Sequence, residues 1–215
     1  MHHFFDIGGN TGQSFQWMEG QDFFLDVNIV WVFEPSPRHF AELIRACQSF
    51  TLRHPDRKVR LCPFGLSDQS STRLFFEKDD PRGDSFHDQV RADHAQENLE
   101  QGYSVVASAI SLASFITRAT AASDTITLDI DAEGEEFAML ESLLDSKGAL
   151  GRVSRIFAEF HWIKSLPGNA SMAPKARAER IARRLFQANI PLTVRGCIVQ
   201  QSEIQAVVKA PRFSE

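Results

Sequence analysis

Short apolar runs and amphipathic segments alternate along most of the chain, the pattern of a mainly parallel sheet with helices on both faces. Strands are predicted at about 3–7, 28–33, 58–62, 72–76, 105–107, 125–130 and 155–160. Helical periodicity covers Thr11 to about Glu19, Pro37 to about Phe50, Ser111–Arg118, Gly134 to about Asp145, and about Pro174–Ala188. In the second of these, Phe40, Leu43, Ile44 and Cys47 keep the period, with Ser36 as the expected N-cap and Pro37 at the first helical position. Two closing runs, Leu192–Val199 and Ile204–Lys209, read as a hairpin that would add one antiparallel strand. Residues 77–102 break the pattern with charged and polar positions, an insertion of the kind that often lies over a binding site. No repeat or low-complexity linker appears, and 215 residues suit a single α/β domain over 1–215.

Composition narrows the class only a little. At 43% hydrophobic and 24% charged residues the chain is an ordinary globular one, and a net charge of −5 argues against a general nucleic-acid-binding face. Arg177, Arg180, Arg183 and Arg184 cluster on a late helix, but Glu179 interrupts them, which reads as a solvated face. Eighteen phenylalanines against one tyrosine assign most of the aromatic content to core packing. Cys47, Cys62 and Cys197 are far apart, with neither zinc nor disulfide spacing, as in a cytoplasmic protein with reduced thiols. No apolar segment is long enough to span a bilayer and no signal peptide is evident, so no membrane partner is expected.

The candidate chemistry begins where the first strand ends. Asp6 is followed by Ile7-Gly8-Gly9-Asn10-Thr11-Gly12, a turn in which glycines let the backbone approach a ligand. A carboxylate directly ahead of such a turn would repel a pyrophosphate, which counts against a nicotinamide-dependent dehydrogenase. It suits a ligand with positive charge at that end, an amino acid or a sulfonium; S-adenosylmethionine carries both and a ribose. Glu34, at the end of the second strand, is placed to accept hydrogen bonds from two ribose hydroxyls. Farther along, Asp129, Asp131 and Glu133 alternate at a strand end, so their side chains are expected on one face. Three such carboxylates call for a cation, a proton or hydrogen-bond donors, and oxygen-only ligands would suit Mg²⁺ or Ca²⁺. Alternatively, Asp131 caps the helix that follows and the neighbouring glutamates answer its dipole.

Four blocks carry a resemblance: Phe-Asp-Ile-Gly-Gly-Asn-Thr-Gly-Gln-Ser (5–14), Val-Phe-Glu-Pro-Ser-Pro (32–37), Leu-Asp-Ile-Asp-Ala-Glu-Gly-Glu-Glu (128–136) and Phe-Ala-Glu-Phe-His (157–161). In this order and spacing the chain resembles the FkbM-type S-adenosylmethionine-dependent methyltransferases over about residues 4–161. The resemblance implies a Rossmann-like methyltransferase fold, a seven-stranded mainly parallel sheet with one antiparallel strand, and methyl transfer to an oxygen. It implies that Asp6, Gly8, Gly9, Asn10, Gly12 and Ser14 surround the methionine part of the cofactor and that Glu34, with Pro35 and Ser36, holds the ribose. Leu66-Ser67-Asp68 would lie near the adenine, and Asp129 beside the sulfonium. Relatives carry a sizeable segment before the first strand; without it the acceptor site is expected to be open, or completed by a partner chain or a second copy.

Methyl transfer from a sulfonium needs alignment and somewhere for the acceptor's proton to go. His161, after the 155–160 strand, is the leading general-base candidate because an ordinary histidine titrates near working pH. Asp129 and Glu133 are the other catalytic candidates, and Glu159 lies on the same segment. His87 and His94, in the polar insertion, read as solvated loop residues. The expected activity is O-methylation of a small hydroxylated acceptor, a sugar or a secondary metabolite. N-methylation, or a catalytically inactive cofactor-binding partner subunit, is the alternative.

Overall fold

In the computed structural model the described residues are 1–77, 84–87, 103–161 and 174–195. Among them, six strands form one sheet: β1 (His2–Ile7), β2 (Val27–Phe33), β3 (Lys58–Cys62), β7 (Thr125–Ile130), β8 (Val153–Glu159) and β9 (Leu192–Arg195), in the order β3-β2-β1-β7-β8-β9. Every neighbouring pair is parallel. The order reverses beside β1, so the crevice where ligands bind in such sheets opens at the carboxyl ends of β1 and β7. The second arm of the expected hairpin lies outside the described residues. Its first arm, β9, runs parallel to β8.

Near-continuous apolar runs in β1, β2 and β7 follow from burial of both sheet faces. On one face Phe5, Ile7, Trp31, Phe33, Leu128 and Ile130 pack under α3 (Leu112–Ala119), α4 (Glu136–Asp145) and α6 (Pro174–Gln187). On the other, Phe4, Val30, Val32 and Phe157 meet α1 (Ser14–Glu19) and α2 (Phe40–Arg53). A short α5 (Lys147–Leu150) precedes β8. The phenylalanines form edge-on and tilted chains, with Phe5–Phe33 at 5.4 Å and Phe33–Phe115 at 5.0 Å. Each such pair adds about 0.5–1.5 kcal/mol beyond its buried area.

The predicted strands at 72–76 and 105–107 do not join this sheet. With β4 (Gly65–Ser67), they are β5 (Ser71–Glu77) and β6 (Tyr103–Ser111) of a separate three-stranded sheet in the order β4-β6-β5. β6 grows to nine residues because β5 pairs antiparallel along it. An unforeseen 3₁₀ segment, Asp22–Asp26, buries Phe23 and Phe24 against the second face.

Three helix starts differ from expectation. α1 begins at Ser14, since Asn10 to Gln13 remain a turn. Ser36 makes no cap bond to α2; its hydroxyl donates to buried Glu77 instead. α4 begins at Glu136, and Asp131 does not cap it. There the fully buried Glu136 carboxylate folds back and accepts the N–H groups of Ala132 (3.2 Å) and Gly134 (3.0 Å). The Ser111 cap does form, its hydroxyl oxygen accepting the Ser114 N–H at 3.3 Å. Ser111→Ala is therefore expected to cost about 1 kcal/mol, read as a lower urea midpoint with an unchanged slope.

The arginine cluster of α6 is not a simple solvated face. Arg177 (2.8 Å) and Arg180 both donate to Glu141 of α4, and Arg184 reaches Asp145 at 2.7 Å, while Arg183 stays exposed. Cys47 and Cys62 are free thiols, pushed up to about 11 by burial. No helix among the described residues is long and apolar enough to cross a membrane.

Candidate active site

The carboxyl ends of β1, β2, β7, β8 and β9 enclose a cleft of about 490 Å³. Its floor is the turn after β1. Gly8 takes φ +93° and its N–H donates to the Phe33 carbonyl at 3.0 Å, as does that of Gly9 at 3.1 Å. A Cβ on Gly8 would lie 1.9 Å from the Asp131 carbonyl oxygen, so backbone passes where any other side chain would start. Asn10 is left-handed (φ +43°), a conformation asparagine tolerates better than most residues. Gly12 is also left-handed (φ +90°) but faces Ala46 of α2 and does not line the cleft; it serves helix packing.

Eight of the described lining residues are Asp or Glu, against Arg195 and His161, so this part of the cleft is strongly negative when they ionise. Asp6 and Asp129 sit side by side, Cα partners in neighbouring strands, and both are buried. Asp6 accepts from the Ser14 hydroxyl, and Asp129 is paired with Arg195. Burial raises Asp6 to about 6 despite these donors. It raises Asp129 to about 8, with the Asp6 and Asp131 charges adding to the effect against the pull of Arg195. Glu34 accepts the N–H of Asn10 (2.8 Å) and of Ser36 (2.7 Å), yet burial lifts it to about 7. A cation bound beside carboxyls held this far above their ordinary range favours their ionised form, and the protons leave to solvent.

A second group gathers around His161, just beyond β8. Its Nδ1 lies 2.9 Å from Glu136, and its Nε2 lies 3.4 Å from Glu159 and 3.7 Å from Glu133. Burial pulls the imidazole down, but the Glu136 hydrogen bond and the surrounding acids outweigh it and hold the ring at about 9. His161 is thus an imidazolium at neutral pH, and the expectation of a histidine titrating near working pH is corrected. Asp131 is pushed by burial and by Glu159, Glu133 and Glu136 to about 7, against the attraction of His161.

Asp129, Asp131 and Glu133 all line the cleft, Asp129 engaged by Arg195 and Glu133 beyond the strand at φ +49°. The donor atoms that do come within 4.8 Å of one another, among the described residues, belong to Asp131, Glu159 and His161. At neutral pH the protonated ring already supplies positive charge to that group.

The segment 84–87 straps the cleft from the side. Asp84 binds Arg38 and His39, Ser85 donates to the Glu133 carbonyl (2.6 Å), and Phe86 packs on Phe75 and Gly65 under Arg73. His87, expected in solvent, is buried with Nε2 3.0 Å from Glu135. Burial pushes Glu135 up, but bonds from His87 and Ser67 and the charge of Arg73 leave it below its ordinary value. His94 lies outside the described residues. Phe33, Pro35, Leu66, Phe75 and Phe86 make this end of the cleft apolar. Of the expected adenine segment only Leu66 lines it; Ser67 is turned to Glu135, and Asp68 accepts from Ser67 away from the cleft. Ser36 likewise supports Glu34 from behind. The segment 84–87 was missed because it is a short island of contacts in a polar stretch. Arg195 and Trp17 were missed too; a cation at the carboxyl end of a short predicted strand was the available signal for Arg195.

No curated protein matches the chain. It is similar to the crystal structure of Methyltransferase FkbM from Methylobacillus flagellatus KT, with 14% identity and a TM-score of 0.42. The match covers 68% of this chain, which spans 30% of that one. The family model of the Methyltransferase FkbM domain matches residues 6–179, from the carboxylate at the head of the glycine turn into α6. The chain belongs to the FkbM methyltransferase family.

Proposed function

We propose that the chain is an S-adenosylmethionine-dependent methyltransferase that methylates an oxygen of a small hydroxylated acceptor. What carries the donor half is the set of buried carboxyls Asp6, Glu34 and Asp129, raised above their ordinary range in a cleft floored by glycine. A ligand with a positive sulfonium and ammonium at one end relieves that repulsion. Two hydroxyls suit the Glu34 carboxylate, and a flat apolar base suits the Phe33, Leu66, Phe75 and Phe86 end.

When bound, S-adenosylmethionine supplies a methyl group on a good leaving group, so the protein's share is alignment and proton handling. Glu34, fixed by two backbone donors, orients the ligand without spending its own side-chain entropy. His161 holds a proton and is fixed by its hydrogen bond to Glu136. The group best poised to take the acceptor's hydroxyl proton is Asp131, which lines the cleft with its carboxyl pushed up to about 7. The same negative lining attracts an amine, so N-methylation is the second reading; the mass and acid-base behaviour of the methylated product separate the two.

Calorimetry with S-adenosylmethionine and S-adenosylhomocysteine tests the donor half, and no heat from either overturns it. Glu34→Ala is expected to weaken both by about 1–3 kcal/mol, since the ribose loses its acceptor while the Asn10 and Ser36 amides lose theirs. Unchanged affinity would place the ribose elsewhere.

A further inference from the structure

Building on the donor reading above, we propose that Arg195 grips the carboxylate of the methyl donor's amino-acid end, a binding role for the last described residue of β9. Its guanidinium reaches across β8 to Asp129 and lies 4.7 Å over the ring of Trp17, which also lines the cleft. One donor goes to Asp129. The Nε donor is buried and has no hydrogen-bond partner among the described residues. A planar fork with donors to spare is the group best matched to a carboxylate.

The usual competitor for that carboxylate is the backbone of the glycine turn, and here four of its amides are committed. The amides of Gly8 and Gly9 donate to the Phe33 carbonyl, that of Asn10 to Glu34, and that of Gly12 to the Gly9 carbonyl. The other cation of the cleft, His161, is surrounded by carboxylates. Arg195 also stands where a zwitterion would need it. Asp6 and Asp129 sit side by side to receive an ammonium, and the guanidinium bound to Asp129 stands next to them for the carboxylate.

The test compares ligands that differ only at that end: S-adenosylmethionine, its decarboxylated form, and methylthioadenosine, which lacks the amino-acid end. Dissociation constants are measured by calorimetry on the native protein and on Arg195→Met and Arg195→Lys. The native protein should prefer S-adenosylmethionine over the decarboxylated form by about 10–100-fold, the worth of a charge-assisted hydrogen bond to a carboxylate. Arg195→Met should abolish that preference and leave methylthioadenosine binding unchanged, and Arg195→Lys should keep part of it. A preference that survives in Arg195→Met overturns the assignment. A variant that misfolds is recognised by loss of methylthioadenosine binding, in which case Arg195→Lys carries the comparison and an unreduced preference there overturns it. If none of the three ligands binds the native protein, the donor reading itself falls.

Discussion

Replacing Gly8 with alanine is expected to destabilise the folded chain by about 2–6 kcal/mol and to remove ligand binding altogether. Two costs add. At φ +93° an alanine is held in a conformation L-residues avoid, about 1–3 kcal/mol. Its Cβ would also lie 1.9 Å from the Asp131 carbonyl oxygen, and opening that contact costs about 1–3 kcal/mol more. The backbone has little room to yield. The Gly8 N–H is tied to Phe33 and the Asp131 N–H to the Ile7 carbonyl at 2.9 Å, so the turn and the end of β7 are locked together. For a domain of this size the melting temperature should fall by roughly 5–20 °C. A fall smaller than roughly 2 °C would mean that the turn can relax, and that the glycine is not there for close approach.

Asp6→Asn is expected to do the opposite to stability while still removing function. Burial holds Asp6 at about 6 in the folded chain, above the ordinary aspartate value of 3.8. The sign follows from that order. Below the lower value both folded and unfolded chains carry the proton and nothing is lost. As pH rises through the folded value the protein must hold a charged carboxylate that would rather be hydrated. At pH 8 this costs about 3 kcal/mol. Asparagine keeps an oxygen to accept the Ser14 hydroxyl and avoids the charge, so the variant should unfold at higher denaturant than the native protein at pH 8, with the gap closing by pH 4. The same change deletes a charge that faces the cationic end of the ligand, and S-adenosylmethionine should bind about tenfold or more weakly. Native affinity should itself climb between pH 6 and 8, as Asp6, Glu34 and Asp129 lose their protons to solvent and face the ligand's positive end as carboxylates. A variant no more stable than the native protein at pH 8 would contradict the cost of burying Asp6. Flat binding across that pH range would contradict its role.

These opposed outcomes describe one feature. The site concentrates buried charge that a stable fold would avoid, and the cost is recovered only when a cation enters. Arg195 offsets part of it at Asp129, and the imidazolium of His161 does the same for Glu136.

The elements that local pattern can specify were legible in the residue order. Near-continuous apolar runs read as the buried strands β1, β2 and β7, because burial of both faces leaves little room for polar positions, while β3 and β8 were legible from shorter apolar stretches. The glycine turn with Asp6, and Glu34 at the next strand end, were legible because a close approach excludes side chains and a strand's carboxyl end faces the crevice. Together with the 128–136 block they were enough to place the chain in its family. The sequence could not decide how charges pair across the cleft, because pairing depends on separations of dozens of residues. Only the folded chain brings Arg195 to Asp129 and surrounds His161 with Glu136, Glu133 and Glu159, which turns an apparent base into a held proton. The left-handed turn at Glu133, the cap supplied by Glu136 and the strap at 84–87 are likewise decided by tertiary contacts. Local composition specifies which backbone segments form and where they end. The protonation and partnership of the charged groups depend on burial and on distance in space, and only the tertiary structure sets those.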